Sequence, residues 1–102
     1  MSMNALDGDR LSFLGRPLAP GFAMRVVVVG PGGRRAYDER EWRAALVVVE
    51  CGEIVLEPLA GSAYRFVRGD VLWLDGLSLR ALHNPGHEPA MLVAVARRGA
   101  RR

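Results

Sequence analysis

The sequence predicts an all-β domain of short antiparallel strands arranged as a sandwich or barrel. Runs such as MRVVVV, ALVVVE, EIVLE and AMLVAV are dense in β-branched residues, which fit a pleated, half-buried surface. Glycine, proline and aspartate interrupt these runs at short intervals, as turns between strands require. From residue 45 onward no segment is long and periodic enough for a helix, so little helix is expected.

Taken in order, residues 1–10 are polar and expected to be flexible. Residues 11–21 read as an edge segment plus turn, because Pro17 and Pro20 lack the N–H a central strand would use. Residues 23–30 form the first clear strand, stopped by Gly30-Pro31-Gly32-Gly33, a hairpin-turn sequence. Residues 34–45 have helical composition, yet a twisted strand accommodates them equally. Residues 45–50 and 53–59 are strands flanking a tight connection at Cys51-Gly52. Strands at 63–67, 71–74, 77–84 and 90–98 follow, punctuated by Arg68-Gly69-Asp70, Asp75-Gly76 and Pro85-Gly86.

The 102 residues suit one compact domain spanning 1–102, half of them hydrophobic and a quarter charged. No apolar run is long enough to span a bilayer and no signal-peptide pattern opens the chain, so a cytoplasmic protein without membrane association is expected. All 14 basic residues are arginine, giving a formal charge of +3. Arg97, Arg98, Arg101 and Arg102 make a basic tail at 97–102. No aromatic residues interleave with them to stack on bases, so the tail reads as solvated and no nucleic-acid partner is expected. Cys51 has no partner for an intramolecular disulfide and no neighbouring base in sequence; it reads as a small, partly buried thiol.

A nucleotide-binding reading of the first half fails on physical grounds. The strand 24–29, the glycines at 30–33, a helix over 34–45 and Glu50 would imitate a dinucleotide-binding unit. The third glycine position holds Arg35, too bulky for close helix–strand packing, and no crossover helix follows residue 50.

ALVVVECGEIVLE followed by RGDVLWLDGLSLRALHNPGHEPAMLVAV resembles the cupin superfamily over about residues 24–97. The resemblance implies a small jelly-roll barrel, a double-stranded β-helix. The second cupin motif, G-x5-P-x-G-x2-H-x3-N, aligns from Gly69 and Asp70 to Asn84. Asp75 and Leu77 then stand at the proline and second glycine, and Arg80 stands where the family has its histidine. The first motif ends E-x6-G; anchored on Gly52, its glutamate position is Ala45, and its paired histidines fall near the DERE at 38–41. A family metal would need those histidines and that carboxylate. Arginine is a permanent cation and alanine offers only a methyl group, so no metal and no cofactor are expected.

With Arg80 pointing into the barrel, strand alternation places Leu82 and Asn84 beside it and turns His83 outward. His87 falls in an exposed turn. Ala45, Val47 and Val49 would line the interior from their strand, with Leu72 and Leu74 from another. The expected ligand-binding set is therefore Arg80, Asp38, Glu39, Glu41, Ala45, Val47, Leu82 and Asn84, with Asp75 as a further partner for the guanidinium. Trp42, Trp73, Tyr64 and Phe66 read as core or dimer-contact residues. Apolar residues on both faces of LVVV and LVAV imply a covered outer face, so a homodimer is expected.

Three functions compete. The first is a binding module for a small organic molecule, an anion among the candidates. The second is a metal-free isomerase, cyclase or lyase in which Arg80 is the electrophile and a residue of 38–41 the base. The third is a structural or regulatory dimer whose barrel is filled by side chains. A sensor role would need a second protein.

Overall fold

A computed structural model describes residues 14–15 and 17–98. The elements run β1 (Phe22–Val29), β2 (Arg34–Ala36), α1 (Glu39–Trp42), β3 (Ala45–Cys51), β4 (Glu53–Pro58), β5 (Tyr64–Val67), β6 (Val71–Trp73), β7 (Leu79–His83) and β8 (Ala90–Arg97). They form two four-stranded antiparallel sheets, β1-β8-β3-β6 and β2-β7-β4-β5. Consecutive strands leave one sheet for the other at most connections. That is the jelly-roll arrangement, in which two sheets close around one core.

The inner faces carry the alternation the sequence predicts. Val27, Val47, Val49, Leu72 and Leu92 of the first sheet meet Ile54, Leu56, Leu79 and Leu82 of the second in one buried cluster. The middle of the barrel is packed with side chains. Residues 34–45, open between strand and helix, contain both: Arg34–Ala36 is a strand and Glu39–Trp42 a single helical turn. Asp38 caps that turn, its carboxylate accepting from the Arg40 N–H at 3.0 Å. Trp42 is fully buried in the core cluster.

Four framework residues hold the corners. Gly52 sits between β3 and β4 at φ +72°, and a Cβ there would lie 2.6 Å from the Pro89 carbonyl oxygen, so only glycine fits. The Gly69 N–H donates to the Val49 carbonyl, and the Asp70 carboxylate accepts from the Val67 N–H, tying the β5–β6 corner to β3. Asn84 is fully buried. Its Nδ2 donates to the carbonyls of Val29 (3.0 Å) and Glu88 (2.7 Å), while Oδ1 accepts from the Gly86 N–H (2.9 Å).

Several expectations need correction. The Gly30–Gly33 turn closes with Gly33 N–H on the Gly30 carbonyl, but it carries the chain from one sheet to the other rather than forming a hairpin. Cys51 is exposed, not partly buried, because a bulge after Val49 turns it outward opposite Met91. Arg97 ends β8 and the Arg98 N–H donates to the Gly21 carbonyl, so the tail as far as residue 98 belongs to the fold. Residues 1–13, 16 and 99–102, with the expected flexible N-terminus and the rest of the tail, lie outside the described residues. None of the described helices is long and apolar enough to cross a membrane.

Candidate functional site at the barrel mouth

Arg80 does not enter the barrel. β4 and β7 pair Glu57 with Ala81 but Pro58 with Leu79, so Arg80 is the extra residue of a β-bulge. The bulge breaks the period-two alternation on which the inward placement depended. Leu79 takes the core position, and Arg80 is exposed. His83, turned outward as expected, lies 3.9 Å from the Glu57 carboxylate.

A different arginine holds the corresponding interior place. β1 pairs with β8 so that Arg25 faces inward with Val27 and Val29, aligned with Ala94, Val47 and Leu72 across the sheet. The next inward row is Ala23, Ala96 and Ala45, three methyl groups that leave space. Above them opens a cleft of about 230 Å3, lined by Arg25, Glu41, Arg97, Arg98 and the alanines. The Arg25 guanidinium donates to Glu41 Oε2 at 3.0 Å and to the Glu41 carbonyl at 2.6 Å. Arg35 Nη2 donates to the same carboxylate oxygen. Beneath, the Arg25 guanidinium carbon lies 5.0 Å from the centroid of the Trp42 ring, a cation–π contact.

The segment carrying Glu41 also holds three buried donors without a protein acceptor: Arg35 Nε, Tyr37 OH and Trp42 Nε1. Burial pushes the Tyr37 hydroxyl above its usual range, and the charges of Glu39, Asp75 and Asp38 push it further the same way. Tyr37 therefore stays a neutral donor near neutral pH.

Of the eight residues the sequence brought forward, Ala45 and Glu41 line this cleft. Val47 and Leu82 are packed in the core, and Asn84 spends its amide on backbone groups. Asp38 is a helix cap and Glu39 is a surface residue 4.0 Å from Arg43. Asp75, expected near Arg80, instead accepts the Ala44 N–H with both oxygens, at 3.1 and 3.0 Å. This contact holds Ala44 in the left-handed region at φ +55° where α1 turns into β3. Sequence reasoning missed Arg25 and Arg35. Arg25 shares its strand parity with Val27 and Val29, but Met24, Val26 and Val28 make the opposite side equally apolar, so the strand alone did not single it out.

Among solved structures, the chain is similar to a cupin 2 conserved barrel domain protein from Salinispora arenicola. The two are 26% identical over 90% of this chain and 75% of the other, with a TM-score of 0.57. It is also similar to the Cnp3 cupin domain of Schizosaccharomyces pombe, at 17% identity, TM-score 0.57, and coverage of 80% and 57%. A third likeness is to the cupin domain of an XRE-family transcriptional regulator from Enterobacter cloacae, at 19% identity, TM-score 0.53, and coverage of 78% and 90%. No protein-family model and no curated protein matches the chain. In fold, the chain is a cupin barrel.

The donor set does not fit the metal such barrels commonly hold. The resemblance's ligand positions are a core methyl group at Ala45 and a guanidinium outside the barrel at Arg80. Among the described residues, no three His, Cys, Asp or Glu side chains come together as a metal site would need.

Proposed function

We propose that this barrel binds a small organic anion at the Arg25 mouth. The observation that carries the reading is a charge imbalance over an apolar floor. Three arginines (Arg25, Arg97 and Arg98) are among the residues lining the cleft, with a single carboxylate, Glu41, which Arg25 and Arg35 engage; the Arg97 guanidinium lies against the Phe22 ring, 6.0 Å from its centroid. A carboxylate or phosphate group is the natural counterpart of an arginine fork, and the alanines favour a compact apolar body. At about 230 Å3 the cleft is below the ~300–1,000 Å3 typical of drug-sized ligands. The ligand is therefore small.

A second reading has its own support: the middle of the barrel is filled, as a structural or regulatory dimer would have it. The packed core confines any ligand to the mouth. The enzyme reading has less behind it, since Arg80 is not among the residues lining the cleft and Glu41 is engaged by two arginines rather than poised as a base.

The test is a titration of the full chain with malonate, succinate, benzoate and inorganic phosphate, followed by calorimetry. At least one should bind with one-to-one stoichiometry. Arg25→Met should weaken it by roughly 10- to 150-fold, the worth of a charge-assisted hydrogen bond of about 1.5–3 kcal/mol. Arg97→Gln should weaken it less, and Arg80→Met should leave it unchanged. Loss of binding in Arg80→Met with binding intact in a folded Arg25→Met would place the site elsewhere.

A further inference from the structure

Glu41 offers the Arg25 mouth a carboxylate of the chain's own. It projects from α1, and that turn is fixed without its side chain. Asp38 caps the turn, the Asp38 carbonyl accepts the Glu41 N–H at 2.9 Å, and Trp42 is fully buried. The Glu41 side chain lines the cleft and is 21% exposed. Both terminal nitrogens of Arg25 are spent on this one residue, Nη1 on the carboxylate and Nη2 on the carbonyl. Arg35 Nη2 meets the same carboxylate oxygen. The arginine fork that an anion would use is therefore already engaged. Glu41 does not satisfy Arg35 fully, because the buried Arg35 Nε has no protein acceptor.

We propose that Glu41 is a built-in competitor at the anion site, which a ligand must displace, and that it restricts the site to dianions such as a dicarboxylate or a phosphate. The proposal rests on the reading of the Arg25 mouth given above. A tethered carboxylate acts at a high effective concentration, since its encounter with the arginines is intramolecular. A free monocarboxylate makes the same contacts as Glu41 without that advantage, so it gains little by exchange. An anion entering beside Glu41 would meet a like charge. With Glu41 turned to solvent, Arg25 and Arg35 present two positive charges, which a dianion matches. Its further oxygens are offered to Arg35, whose Nε has no acceptor. Specificity then comes from a repulsive element as well as an attractive one.

The test is calorimetry of the full chain above neutral pH with malonate, inorganic phosphate and acetate as probes. Four chains are compared: the wild type, Glu41→Gln, Glu41→Ala and Glu39→Gln, each checked for folding by circular dichroism. The wild type should bind malonate or phosphate about tenfold or more tightly than acetate, and whichever binds better tells a dicarboxylate ligand from a phosphate. Glu41→Gln keeps the shape of the side chain and removes its charge. It should tighten the binding of all three probes, acetate by about tenfold or more, and Glu41→Ala should do the same. Binding seen only in the Glu41 variants is the same result in its extreme form. Glu39 lies on the same turn but faces Arg43 at 4.0 Å, so Glu39→Gln should change affinity less than about twofold. A Glu41 that merely positioned Arg25 would give weaker binding on its removal. Unchanged or weaker binding in the folded Glu41 variants, an equal gain in Glu39→Gln, or acetate as tight as the dianions in the wild type would each overturn the proposal and leave the mouth reading in place. Binding of no probe by any of the four chains would remove the mouth reading itself.

Discussion

Replacing Asn84 with alanine separates a framework role from a ligand-binding one. The side chain is fully buried and makes three hydrogen bonds to backbone groups: the carbonyls of Val29 and Glu88 at 3.0 and 2.7 Å, and the Gly86 N–H at 2.9 Å. The Val29 contact joins the end of β1 to the loop leaving β7, so it links the two sheets. Each net hydrogen bond contributes about 1 kcal/mol, and partners left buried without water cost more. The loss should total about 3 kcal/mol. In a domain of roughly 100 residues, each kcal/mol moves Tm by about 4–8 °C, so the expected drop is roughly 10–25 °C. Urea unfolding followed by circular dichroism gives the free energy, and anion titration of the folded variant gives the affinity. Stability should fall while affinity at the mouth changes little. A loss below about 1 kcal/mol would refute the framework account, because only groups that water can reach are surrendered so cheaply.

Other consequences follow from the same structure. Gly52→Ala should cost more than about 2 kcal/mol by thermal unfolding, since a left-handed φ and a 2.6 Å contact with the Pro89 carbonyl act together; an unaltered Tm would contradict that contact. Ala44→Gly should be neutral or stabilise by about 0.5 kcal/mol, because glycine relieves the strain at φ +55° but adds unfolded-state freedom. Glu57 is held below the usual carboxylate range, first by its hydrogen bond from Arg34 and then by the Arg34, His83 and Arg80 charges. Its folded pKa is the lower one, so it supports the fold above the unfolded glutamate value. That support fades as pH falls through the folded value. Because the pair is exposed, the effect is small and screened by salt. Arg34→Gln should therefore flatten the acid limb of a stability–pH curve measured at low ionic strength, and the difference should vanish at high salt.

The strands were legible because valine runs and turn residues are local signals. ALVVVE, EIVLE and AMLVAV became β3, β4 and β8, and Leu72 and Leu74 were read correctly as inward. Gly52, Gly69, Asp70 and Asn84 were legible as framework through the resemblance, and each makes a contact that explains it. The site was not legible, for a non-local reason. Alternation carries a side chain's direction along a strand only while pairing stays in register, and the bulge opposite Glu57 and Pro58 turns Arg80 outward. For β1 the difficulty was different. Met24, Val26 and Val28 on one side and Val27 and Val29 on the other are equally apolar, so nothing local marked the side bearing Arg25 as the inner one.

The two tryptophans report the two faces separately. Trp42 is buried beneath Arg25, and Trp73 is 54% exposed on the outer face of the first sheet. The most direct test is a proton–nitrogen correlation spectrum of the indole N–H groups during titration with a binding anion. Movement of the Trp42 signal with a stationary Trp73 signal is the result predicted for a ligand at the Arg25 mouth. A shift confined to Trp73, or binding by calorimetry that leaves Trp42 unmoved, would contradict it.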